Sequence, residues 1–200
     1  MNADTAIAFA DLLSEVRACT VCSASLPLGP RPVVQVGAGA RLLIIGQAPG
    51  RRVHETGVPW NDASGERLRD WLGIDATRFY DPDWVALIPM GLCYPGATPG
   101  GGDKPPRPEC APLWHRRLLA ALPAVKLTLL VGSYAQAAYL AKPRALSMTQ
   151  AVQQFQTALP TYLPLPHPSW RSTGWMRSNP WFENDVLPAL RQHVRDALDG

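Results

Sequence analysis

Four short apolar runs, residues 42–45, 84–88, 127–131 and 162–165, alternate with stretches of helical periodicity. Runs this short and this apolar read as strands buried on both faces, and a helix between successive strands makes them parallel. The intervening helical stretches are residues 64–72, 109–121, 134–141 and 148–157. An amphipathic helix over 5–18 precedes the first strand, and another over 184–198 closes the chain. Ser64 is the expected N-cap of the 64–72 helix, with Glu66 in its first turn. The pattern predicts a three-layer α/β/α sandwich around a central, mostly parallel four-stranded sheet, with residues 1–200 as a single domain. Right-handed crossovers carry the loops that begin at Gly46, Pro89, Gly132 and His167 to one edge of the sheet, where such folds bind ligands.

Composition sets the class. A hydrophobic content of 46% is that of a globular chain. No run approaches the ~18 apolar residues of a membrane span. Residues 1–5 lack the basic start of a secretory signal, so a cytoplasmic location is expected. A net charge of +3 permits a nucleic-acid partner without requiring one. In a reducing compartment four cysteines point to metal binding before disulfides. They stand as Cys19-x2-Cys22 and Cys93-x16-Cys110, the second pair bracketing a Pro- and Gly-rich loop over 94–108. Three readings are open. Free cysteines are often small buried hydrophobes, yet Cys19 and Cys22 sit among polar loop neighbours. Zinc thiolates usually come as two tight pairs, and Cys93 and Cys110 are not tight. A 4Fe–4S cluster takes thiolates at four corners, and the prolines of the loop would shield it.

Two short motifs fall at the predicted sheet edge. Gly46-Gln47-Ala48-Pro49-Gly50 follows the first strand directly. Its spacing differs from G-x-G-x-x-G and from the phosphate loop, so a nucleotide cofactor has little support. His167-Pro168-Ser169-Trp170 follows the last strand, and Arg171, Trp175, Arg177 and Trp181 come soon after. Arginines among aromatics suit nucleic acid, since guanidinium groups pair with phosphates and rings stack on bases. A Trp-rich surface lid with no ligand is the alternative.

Together these residues resemble the uracil-DNA glycosylase superfamily, most closely its family 4, the iron–sulfur type. That family shows Cys-x2-Cys, Gly-Glu-Ala-Pro-Gly, Gly-x-Pro-Phe ending in Ala-Gly, Asn-x-x-Lys-Cys, a further Cys and a late His-Pro-Ser. This chain shows Cys19 and Cys22, the 46–50 turn, Gly57-Val58-Pro59-Trp60 ending in Ser64-Gly65, Cys93 with Cys110, and His167-Pro168-Ser169. The resemblance implies an enzyme that hydrolyses the N-glycosidic bond of uracil or another deaminated base in DNA, as a monomer acting on a flipped base. It implies catalytic roles for Gln47 and His167, the latter donating a hydrogen bond to uracil O2. Gly46, Ala48 and Trp60 would hold the base, with Trp60 stacking on its ring. Ser169, Trp170, Arg171 and Arg177 would contact DNA, Trp170 and Arg171 as the wedge. Cys19, Cys22, Cys93 and Cys110 would hold a structural 4Fe–4S cluster.

The departures from the family pattern are specific. Gln47 stands where the family has Glu, so the turn carries no carboxylate. Pro89 stands where the family has the Asn that reads the base edge. Asn61 is therefore expected to read the base, and Asp62 or Glu55 to position the water, on their nearness to Trp60 in sequence. A nucleic-acid-binding member of the same fold with weak or absent catalysis is the alternative expectation.

Overall fold

The computed structural model describes residues 3–140 and 146–200. Strands β1 (Leu42–Ile45), β2 (Val85–Leu87), β3 (Leu127–Val131) and β4 (Tyr162–Leu165) form one sheet in the order β2-β1-β3-β4. Every pairing is parallel: Leu42 lies opposite Val85 on one side and Leu127 on the other, and Val131 lies opposite Leu165. Successive side chains of a strand point to opposite faces. Leu42, Ile44, Leu129 and Val131 accordingly face one apolar layer, and Leu43, Ile45, Ala86 and Leu130 face the other. Helices α3 (Ala63–Leu72), α7 (Met148–Gln153) and α9 (Leu187–Asp199) cover the first face with Leu68, Trp71, Val152, Leu190 and Val194. Helices α1 (Ala3–Arg17), α5 (Cys110–Ala120) and α6 (Ser133–Tyr139) cover the second with Val16, Trp114, Leu118 and Ala135. The three-layer sandwich expected from the sequence is present, with a sheet that is wholly parallel.

Packing, not propensity, holds the closing helix. Its Leu187, Leu190, Val194 and Leu198 are buried at helical spacing, and each such side chain contributes about 1.5–3 kcal/mol when buried. Surface pairs on a helix contribute only a few tenths of that. The irregular arm before β1 protects the sheet edge: Gln35 exchanges hydrogen bonds with Leu87 at 3.1 and 2.7 Å, antiparallel to β2. An edge covered in this way cannot pair with another chain.

Several boundaries differ from the sequence reading, each for a local reason. Asp62, not Ser64, caps α3, its carboxylate accepting from the Gly65 amide at 2.8 Å. The helix expected over 148–157 ends at Gln153 and continues as a 3-10 turn, Phe155–Ala158. The closing helix opens as a π turn, Phe182–Val186, because Pro188 has no N–H for the preceding turn's carbonyl. Helix α6 ends at Tyr139, and residue 141 of the expected helix lies outside the described residues. Helices α2 (Arg51–Thr56), α4 (Ala76–Phe79) and α8 (Ser172–Ser178) are too short to show apolar periodicity. Among the described residues no helix is long and apolar enough to cross a membrane.

Candidate active site

The loops after β1, β2 and β4 meet at the carboxyl edge of the sheet around a cleft of about 440 Å³. Gly46, Gln47, Ala48, Pro49 and Gly50 form one wall. The turn is stitched to the loop after β2, the Gly46 carbonyl accepting from Met90 N and the Gln47 carbonyl from Gly91 N, both at 2.9 Å. Gly46 is required here because a Cβ would lie 2.9 Å from the Trp60 ring. Gln47 sends its amide nitrogen to the Lys104 carbonyl at 3.1 Å.

Trp60 forms the opposite wall. Its φ of 55° is left-handed, which for a bulky residue needs support from its surroundings. That support is visible: the Tyr80 hydroxyl donates to the Trp60 carbonyl at 3.2 Å, and Arg69 donates to Tyr80 Oη at 3.1 Å. Gly65 makes room for the same carbonyl, since a Cβ there would lie 1.7 Å from it. The Trp60 ring then faces His167, with centroids 5.7 Å apart and planes inclined by 31°.

His167 is presented by the loop leaving β4. Ser172 Oγ donates to the His167 carbonyl. Arg67 reaches across from α3 to the Ser169 carbonyl at 2.8 Å. Burial lowers the pKa of His167, opposed by the negative charge of Asp62. The imidazole is therefore neutral near pH 7, able to donate one N–H. Trp170 projects from the rim at 73% exposure. The Arg171 guanidinium lies 5.0 Å above the Trp170 ring and donates to the Gly101 carbonyl at 2.8 Å. It thus ties the His167 loop to the glycine-rich loop across the cleft.

A family model for the uracil DNA glycosylase superfamily matches residues 34–191. The chain belongs to the uracil DNA glycosylase superfamily. Membership supports a DNA glycosylase, a hydrolase of the N-glycosidic bond, as its general class.

Against this superfamily frame, the expected residues divide into two groups. Gly46, Gln47, Ala48, Trp60, Asp62, His167, Ser169, Trp170 and Arg171 all line the cleft. Asn61, Glu55 and Arg177 do not. Asn61 follows the left-handed Trp60 and falls outside the lining, so its nearness in sequence is not nearness to the base. Glu55 is turned outward into an exposed ion pair with Arg51 at 2.9 Å. Arg177 is exposed on α8, away from the cleft. Trp175 and Trp181 are structural: they pack edge to face with each other, and Trp175 packs likewise on buried Phe182. Trp175 also donates to Thr149 at 2.8 Å. Only Trp170 of the three clustered tryptophans is offered to a ligand.

Pro89 lines the floor, as its place in the motif implies. Its carbonyl is not free for a base, because His115 Nε2 lies 3.0 Å from it and His115 Nδ1 contacts the Tyr139 hydroxyl. Burial lowers the pKa of His115. In the neutral ring, Nε2–H donates to Pro89 and Nδ1 accepts from Tyr139. Asp103 was not foreseen. It enters the cleft from the loop between Cys93 and Cys110, where composition announces a loop but not its course.

The four cysteines line a second, smaller pocket, walled by Leu26, Pro30, Pro32, Leu92 and Trp114. Burial pushes the Cys93 thiol up to about 11 and the Cys110 thiol up to about 12. A peptide N–H nevertheless points at one of these sulfurs, from Leu92 to Cys110 at 3.2 Å. Among the described residues no group of three or more His, Cys, Asp or Glu is arranged to hold a metal ion. The superfamily match begins after Cys19 and Cys22, so the iron–sulfur type rests on this pocket alone.

Proposed function

We propose that this protein is a monomeric DNA glycosylase that removes uracil or another deaminated base and carries a structural 4Fe–4S cluster of the family 4 type. The observation that carries the catalytic reading is the pairing of Trp60 with a neutral, half-buried His167 across one cleft, beneath the exposed Trp170. Hydrolysis of the N-glycosidic bond leaves positive charge on the sugar and negative charge on the departing base. His167 N–H, donating to the base oxygen, stabilises that anion, and a single preorganised donor of this kind is worth about 2.7–4 kcal/mol. A neutral imidazole keeps its proton while it donates, so no proton need be lost at the moment of cleavage. The base must first leave the stack, at a cost of a few kcal/mol. Stacking on Trp60 offsets about 1–3 kcal/mol of that. Trp170 fills the gap left in the duplex, and Arg171 meets the flanking phosphates.

Asp62 is the water-positioning candidate that remains in the cleft. One of its oxygens is engaged by the Gly65 amide, and among the described residues the other is left for water. Base selection falls to the groups that line the cleft, because Pro89 has no side-chain donor or acceptor. That same proline favours the second reading, a member that binds DNA without turning it over. One experiment separates the two: single- and double-stranded oligonucleotides carrying uracil, hypoxanthine or xanthine, assayed for alkali-labile sites. Base release from at least one of them is expected. Binding with no alkali-labile site on any of them would favour the non-catalytic member.

The cluster is supported by four cysteines from three segments that share one apolar pocket and by the Leu92 peptide N–H directed at the Cys110 sulfur. Such hydrogen bonds are typical of cluster thiolates. Bound there, a 4Fe–4S group would hold the N-terminal arm to the 93–110 loop. Anaerobically purified protein should contain iron and acid-labile sulfide in about equal amounts. One zinc per chain and no iron would remove the cluster.

A further inference from the structure

The turn after β1 offers an amide where hydrolysis calls for an acid, and that amide's nitrogen is already committed to the Lys104 carbonyl at 3.1 Å. Two carboxylates line the same cleft from other segments, Asp62 at the start of α3 and Asp103 from the loop between Cys93 and Cys110. They converge on Gly50: a Cβ there would lie 3.5 Å from Asp103 Oδ2 and 3.9 Å from Asp62 Oδ2. Asp62 uses Oδ1 to cap α3, so Oδ2 is the oxygen it presents. Among the described residues the Asp103 carboxylate, exposed at the mouth of the cleft, forms no ion pair.

The loop that delivers Asp103 is fixed on both sides of it. Lys104 N donates to the Gly96 carbonyl at 2.8 Å, and Thr98 N donates to the Gly102 carbonyl at 2.6 Å. Two cleft residues hold the loop as well, Gln47 at the Lys104 carbonyl and Arg171 at the Gly101 carbonyl. Gly102 and Asp103, between those two anchors, are held at the cleft.

We propose that Asp103 is a catalytic carboxylate of this enzyme, acting beside Asp62 to hold and deprotonate the water that attacks the sugar. The proposal rests on the glycosylase reading and supplies the acid that the Gly46–Gly50 turn lacks. The water oxygen bonds to C1′ as the bond from C1′ to the base nitrogen breaks. The bonding pair leaves with the base, whose anion His167 stabilises. One water proton passes to Asp103 and later to the base anion, leaving a hydroxyl on C1′. Burial and the Asp62 charge both raise the pKa of Asp103, and Arg171 opposes them. Asp62 already commits Oδ1 to the α3 cap, so Asp103 is the member of the pair better placed to take the proton. Arg171 and Asp62 face it from the two rims, His167 lies in the same cleft, and Lys104 is its chain neighbour.

The test is single-turnover base release by Asp103→Asn and Asp62→Asn across pH 5 to 8. Neither change should disturb the fold, since Asp103 forms no ion pair and an Asn at 62 caps a helix as well as Asp. Asp103→Asn should lower the rate by about 10²-fold or more, with affinity for an abasic-site duplex unchanged, and should abolish the acid limb of the pH profile. Asp62→Asn should move that limb to lower pH, because loss of its charge makes Asp103 easier to ionise. Asp103→Ser is the second variant and should behave as Asp103→Asn does. Wild-type base release with both Asp103 variants equally active and the limb unmoved would overturn the assignment and leave the glycosylase reading standing. No base release by the wild type on any deaminated base would overturn both.

Discussion

His167 meets three conditions at once: it is neutral, it is held through its own backbone carbonyl by Ser172, and it faces an aromatic wall. Its donor acts on charge that exists only as the bond breaks. His167→Ala should therefore cut the rate of base release by about 10²–10³-fold while DNA affinity stays nearly constant. An equal loss in affinity with no loss in rate would make it a phosphate contact. The neighbouring pair divides differently. Trp170 is exposed, and a wedge is needed only where a base leaves a stack, so Trp170→Ala should weaken duplex binding more than single-strand binding. Arg171→Ala should reduce the magnitude of the salt slope by about one unit, as loss of one phosphate contact does. Affinities measured on both DNA forms at several salt concentrations separate the two roles, and no change in either variant would make this loop a lid over some other ligand.

The short helix-opening segment from Trp60 to Gly65 shows how little backbone freedom the site has. The Trp60 carbonyl is turned inward by a left-handed residue and sits against Gly65. Gly65→Ala should cost about 1–3 kcal/mol of stability, as overpacking does, and should shift Trp60 away from His167. Thermal melting together with tryptophan fluorescence would show both effects, and an unchanged melting temperature would mean that the segment relaxes freely. Elements of this kind mark the limits of the sequence. The four strands were legible because their residues are apolar with the one exception of Thr128, and Gly46, Trp60 and His167 were legible because motif spacing carries them. Asp103 was not, because its position depends on hydrogen bonds from Gln47 and Arg171, which are remote in the chain. Trp175 and Trp181 misled for the converse reason. Composition counts aromatics but does not say which face they turn, and these two turn inward. Asn61 and Glu55 failed likewise, since a left-handed turn and a short helix separate neighbours in sequence from neighbours in space.

At the scale of the whole molecule, three histidines, His54, His115 and His167, have their pKa values lowered, in each case chiefly by burial. Unfolded, a histidine titrates near about 6.5. A lowered folded value means that the unfolded chain binds more protons between the two, so stability is fully present above about 6.5 and is lost as pH falls below it. Asp103 carries the opposite sign, since its raised value lets the folded state hold a proton more readily as pH falls. It is a single group at the mouth of the cleft, set against three histidines, and His115 is 4% exposed. The melting temperature should therefore fall between pH 7 and pH 5. Most of that dependence should trace to His115, whose neutral form bridges Pro89 and Tyr139 and which, once charged, carries its charge in a site almost closed to water. His115→Gln retains a donor for the Pro89 carbonyl and removes the titration, so its melting temperature should vary less over the same range. Calorimetry on the two proteins at a series of pH values checks this. A wild-type melting temperature that stays level or rises toward pH 5, or a slope equal in the variant, would mean that these buried rings are not what makes the fold sensitive to acid.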